Sequence, residues 1–131
     1  MKKSIKRIGA VACMCMLFST TAFADKKPID FDYIAKGGSG YTATNPKSDN
    51  EGYAYVTVTS SNQIEGDKVE YVVTSEDKNT EVTDGATFYG TSKPDKQKLK
   101  YKSGYAKTGK KYRLKITTYN YSLEVHGRWN S

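Results

Sequence analysis

His126, the only histidine of the 131-residue chain, lies in "SLEVHGRWNS" with Ser122, Glu124 and Arg128 at strand spacing around it. Serine, carboxylate and histidine are the ingredients of acyl transfer, in which the imidazole takes the nucleophile's proton and the carboxylate orients the imidazole. That chemistry needs the three groups to converge. Residues two apart on a strand stand roughly 7 Å apart and point the same way, so the spacing predicts a wet-face or cross-strand histidine without a catalytic role. A single histidine also excludes an HExxH zinc motif. Glycoside hydrolysis needs two carboxylates about 5–9 Å apart in a cleft. Asp30 and Asp32 in "PIDFDYIA", with Glu70, are the candidates, but a chain this short has little material for such a cleft. In "DKNTEVTDG", Asp77, Asn79, Glu81 and Asp84 supply oxygen atoms without the glycine and closing glutamate of a calcium loop. That stretch reads as a solvated turn, and "GGSG" is too short for a phosphate loop. The expectation is a protein that is not an enzyme, with no cofactor and no metal site.

Charge placement is more informative. Residues 93–115 carry ten basic groups and one acid, Asp95, whereas residues 25–92 carry six basic and twelve acidic groups. Within the basic block Lys98, Lys100 and Lys102 flank Leu99 and Tyr101, and Lys111, Arg113 and Lys115 flank Tyr112 and Leu114. A hairpin closed through "SGYAKTG" would put all six cations on one sheet face. Like charges opposite one another are destabilising, and an anionic partner relieves them. The competing reading is that edge lysines keep sheets from aggregating. Tyrosine is also abundant. In "YAYVTVTS", burying Ala54, Val56 and Val58 leaves Tyr53 and Tyr55 outside, and these two, with Tyr101 of the basic block, are candidate aromatic contacts. Trp129 continues the apolar side of the last strand and is expected in the core.

The elements that must position these residues are strands. Period-2 alternation runs through "PIDFDYIA", "YAYVTVTS", "KVEYVVTS", "KKYRLKITTY" and "YSLEVHGRW", with shorter candidates "YTAT", "ATFYG" and "KLKY". Turn-rich separators such as "KGGSG", "NPKSDNEG" and "SKPDKQ" divide them. Seven to eight short antiparallel strands predict an all-β single domain, a small β-sandwich or, as the alternative, a small β-barrel.

Residues 1–24 stand apart. Lys2, Lys3, Lys6 and Arg7, an apolar run from Ile8 to Phe18, and Ala22-Phe23-Ala24 make a secretory signal peptide. Cys13 in "AVAC" offers a rival lipid anchor, but leucine is missing from its usual place and cleavage there would halve the apolar core. Cleavage after Ala24 removes both cysteines, so disulfides and thiolate metal sites are excluded for residues 25–131. It also leaves 17 basic against 14 acidic groups, a net charge of +3. A cysteine-free exported chain fits a Gram-positive source.

Three stretches, "FDYIAKGGSGYT", "KYRLKITTYNYS" and "LEVHGRW", carry a resemblance to a family of small secreted proteins of unknown function from spore-forming Gram-positive bacteria. Such proteins close on a strand of the form apolar-x-Val-x-Gly-x-Trp, matched here by Val125, Gly127 and Trp129. The resemblance implies secretion and an all-β architecture and carries no site residues across. The reading that follows is a secreted binding module, retained at the cell wall or free. It docks an anionic cell-surface polymer, a lipid surface or an acidic protein through Lys98, Lys100, Lys102, Lys111, Arg113 and Lys115, with nucleic acid bound only non-specifically. The alternative is a secreted antagonist, a bacteriocin-like protein or an inhibitor of another cell's target.

Overall fold

The structure is a computed structural model that describes residues 28–131, with the backbone alone for residues 34–37 and 120–122. The expected signal peptide and its expected cleavage site after Ala24 lie outside the described residues. Those residues form seven strands and no helix: β1 (Ile29–Tyr41), β2 (Asn45–Pro46), β3 (Tyr53–Ser61), β4 (Lys68–Ser75), β5 (Ala86–Tyr89), β6 (Gln97–Lys100) and β7 (Lys111–Asn130).

All ladders are antiparallel, and β7 organises them. Its first half pairs with β4 on one edge, Tyr71 opposite Ile116, and on the other with the end of β1 and with β2. Its second half pairs with β3, Val56 opposite Trp129, and with the start of β1, Ile29 opposite Trp129. β5 then extends β4, and β6 extends β3. Because β1 and β7 pass through both layers, seven strands build one sheet of five and one of four, a small β-sandwich. On the far side a single isolated bridge, Thr83 to Tyr101, laces the layers among the described residues, and the barrel alternative does not hold.

One expected strand pair is a single element. "KKYRLKITTY" and "YSLEVHGRW" are continuous in the 20-residue β7. Tyr112, Leu114, Ile116 and Thr118 are buried in its first half, Leu123, Val125, Gly127 and Trp129 in its second. The inward parity changes from even to odd, which lets one strand face the same core from both layers. In β1 the register shifts between Lys36 and Gly38 at the matching place, and Gly38 takes φ 119°. A bulge of this kind is how a strand turns a corner. "KGGSG" is therefore a bend inside a strand rather than a turn between two.

The inner faces meet in one cluster that includes Phe31, Val56, Val69, Tyr71, Val82, Leu99, Leu114, Ile116, Leu123, Val125 and Trp129. Trp129 has no exposed surface, as its place in the alternation requires.

Candidate functional site

The outer face of the four-stranded sheet gathers most of the chemistry-bearing residues. Period-2 geometry turns Lys98 and Lys100 of β6 outward around buried Leu99, and Tyr53 and Tyr55 of β3 outward around buried Ala54. The β3–β6 register sets Tyr53 opposite Lys100 and Tyr55 opposite Lys98. The Lys98 ammonium lies 5.2 Å from the centroid of the Tyr53 ring, within cation–π range. Lys102 continues the exposed lysine row just past the end of β6. Among the described residues, no carboxylate stands within ion-pair distance of these three lysines. Tyr55 donates its hydroxyl to Glu51; burial first, and this carboxylate second, push its pKa up to about 12.

Across the same sheet the charge reverses. Thr57 of β3 faces Arg128 of β7, Arg128 faces Asp30 of β1, and His126 faces Asp32. The His126 ring is clamped on both sides, with Nδ1 2.5 Å from Asp32 Oδ1 and Nε2 2.6 Å from Glu124 Oε1. The hydrogen bond to Asp32, then that to Glu124, raise the imidazole pKa. Strand spacing does not keep Glu124 away from the ring; its longer side chain runs along β7 to reach Nε2. With both nitrogens held by carboxylates, neither is available to take a proton from Ser60, its neighbour in register on β3. The arrangement is a cross-strand clamp.

The six expected cations do not share a face. β6 pairs with β3, and both edges of the first half of β7 are already taken, by β4 and by β1 and β2, so the expected hairpin cannot form. Residues 101–110 instead cross from one layer to the other. Arg113 and Lys115 lie on the outer face of the five-stranded sheet and are engaged within the protein. Arg113 donates from Nε to the Glu76 carbonyl (2.8 Å) and from Nη1 to the Thr42 carbonyl (3.1 Å). Lys115 reaches across β4, above buried Val72, to Glu81 at 3.4 Å. Lys111 lines a separate cleft between the layers' ends.

Tyr101 is not a surface contact. It is 6% exposed and packs on Tyr112, ring centroids 5.4 Å apart, because it shares the inward parity of Leu99. Above it sits Lys47, whose side chain is fully buried, with Nζ 4.7 Å from the Tyr101 centroid and 3.2 Å from Asp49 Oδ1. Nothing in "NPKSDN" signals a buried lysine.

The carboxylate and calcium candidates also disperse. Asp32 is bonded to His126, and Glu70 belongs to the other sheet, opposite Thr87 and Thr117. Asp77 accepts from Ser75 Oγ and from the Asn79 amide, and Glu81 holds Lys115 of β7. No group of three metal-ligating side chains converges among the described residues. Comparison of the chain with protein families, with curated proteins and with solved structures finds no match.

Proposed function

We propose that the protein is a secreted, non-enzymatic binding module that docks an anionic polymer of the cell envelope along β6, with Lys98, Lys100 and Lys102 as the charge contacts. Tyr53 and Tyr55 flank them as ring surfaces. The observation that carries the reading is the pairing of this unbridged lysine row with two outward tyrosines on the next strand. Alternate residues recur roughly every 7 Å along a strand, a spacing suited to successive anionic units of an extended chain. On the far side of the sheet Asp30, Asp32 and Glu124 outnumber Arg128 and His126, which disfavours such a chain there and aligns it with β6 instead of across the strands. Tyrosine rings add stacking surface for sugars or bases without demanding a particular one.

Three cation contacts release bound counterions, so affinity for a densely charged polymer should fall about 40-fold between roughly 50 and 200 mM salt. The test is titration of isolated wall polymer and of DNA against residues 25–131 and against the Lys98→Gln, Lys100→Gln, Lys102→Gln triple variant. The triple variant should lose both binding and salt dependence while melting as the parent does, since exposed charges contribute little stability. Equal binding by both forms, or none by either, would sink the reading.

A further inference from the structure

Away from that face, the β4–β5 turn and the β6–β7 connection border a half-open cleft of about 620 Å³. This is within the range of small-molecule sites. Its floor is apolar, formed by Val82 and the ring of Tyr112, 0% and 3% exposed. One wall is cationic: Lys107, Lys110 and Lys111 line it, all exposed and, among the described residues, none paired with a carboxylate. The facing wall offers Glu76, Asp77 and Thr80. Tyr105, 40% exposed, stands at the rim.

We propose that this cleft binds a small hydroxylated anion of the sugar phosphate type, a site additional to the polymer-docking face. The two walls select against simpler ligands. A bare polyanion is attracted by the lysines but repelled by Glu76 and Asp77 across the cleft, and a cation meets the reverse problem. A ligand with a phosphate at one end and hydroxyls at the other satisfies both, because carboxylates and the Thr80 hydroxyl accept hydrogen bonds from sugar hydroxyls. The Tyr105 ring supplies a face for the sugar.

The walls are held in place before any ligand arrives. Ser75 Oγ bonds Asp77 and receives the Thr80 amide, fixing the acidic turn. On the basic side the Lys47 amide donates to the Lys110 carbonyl and the Gly109 amide to the Lys47 carbonyl, both at 2.8 Å. Gly104 and Gly109 adopt φ of 83° and 86°, values that glycine takes without strain. The Tyr112 hydroxyl donates to the Tyr105 carbonyl and closes the connection onto the floor. Less conformational freedom is then lost on binding, which is the general source of affinity in a preformed site.

The experiment is a titration of residues 25–131 with glucose 1-phosphate, glucose and inorganic phosphate, read by backbone amide chemical shifts. Glucose 1-phosphate should perturb residues 75–80 and 104–112 and bind at least about tenfold more tightly than either fragment. The Lys107→Gln, Lys110→Gln double variant should weaken it about tenfold or more with an unchanged melting temperature. Thr80→Val should narrow the advantage over inorganic phosphate. Absence of saturable shifts, shifts centred on Tyr53 and Lys98, phosphate binding as tight as the sugar phosphate, or indifference to the lysine substitutions would each overturn the proposal. The shift map separates this outcome from failure of the β6 reading, whose ligand perturbs a different set of amides.

Discussion

Protonated His126 donates to Asp32 from one ring nitrogen and to Glu124 from the other, so a single proton decides whether both carboxylates are satisfied. On its loss, one carboxylate faces an imidazole lone pair. The folded-state pKa is raised above its unfolded value, and the sign follows from that. Stability contributed by the clamp is complete below the unfolded value near 6.5 and is lost as pH rises through the folded value. The melting temperature of the parent should therefore decline from about pH 6 upward, relative to a His126→Gln variant that cannot titrate there. Parallel pH profiles for the two proteins would show that the clamp contributes nothing. Binding by β6 should be unaffected by the substitution, since His126 lies two strands away from the lysine row.

At the scale of elements, the close approach of β3 to β7 rests on one residue. A Cβ built on Gly127 would lie 2.2 Å from the Thr57 carbonyl oxygen and 3.0 Å from Val58 Cα, backbone atoms that cannot swing aside. Gly127→Ala should thus force the two strands apart and lower stability by about 3 kcal/mol, at the upper end of overpacking costs. Gly52→Ala, with nothing within 4 Å of its Cβ, should change stability by less than about 0.5 kcal/mol. Comparison of the two melting curves checks the argument. The glycine of the closing Val-x-Gly-x-Trp pattern thereby has a physical reason: β3 leaves no room for a side chain there, while Val125 and Trp129 fill the core on either side.

Strand content was legible because alternation is local. The burial of Trp129 and Leu99 follows from counting by twos, and so does the outward row Lys98, Lys100 and Lys102; the same count, applied to Tyr101, argues against the surface contact expected of it. Partners were not legible, because pairing β6 with β3 instead of β7 depends on residues about 45 positions apart. The same limit hid the joining of the last two runs: a change of inward parity between Thr118 and Leu123 reads as two strands until the corner is seen. Asp32 and His126, 94 residues apart, meet only through the β1–β7 register. Lys47 gave no sign at all, since its burial depends on the Tyr101 ring below it.

Over the whole molecule, basic and acidic residues are sorted by place. Among the described residues, lysines without a carboxylate at ion-pair distance run along β6 and the β6–β7 connection, while Arg113 and Lys115 are turned to internal use. A net charge of +3 for residues 25–131 therefore understates how positive one edge is. The sorting depends on β7, which partners β1, β2, β3 and β4 and holds both layers together. It is also the last of the seven strands to be synthesised. Before residues 111–130 emerge, the nascent chain can form only the β3–β6 and β4–β5 pairings, and Ile29 must wait a hundred residues for Trp129. Contacts so distant in sequence make folding slow and late. A chain ending at Lys110 should show no cooperative thermal transition by circular dichroism; a sharp one would mean that the earlier strands can stabilise themselves. A channel that accepts only unfolded polypeptide would thus find residues 28–110 still threadable, with collapse deferred until residues 111–130 have been made.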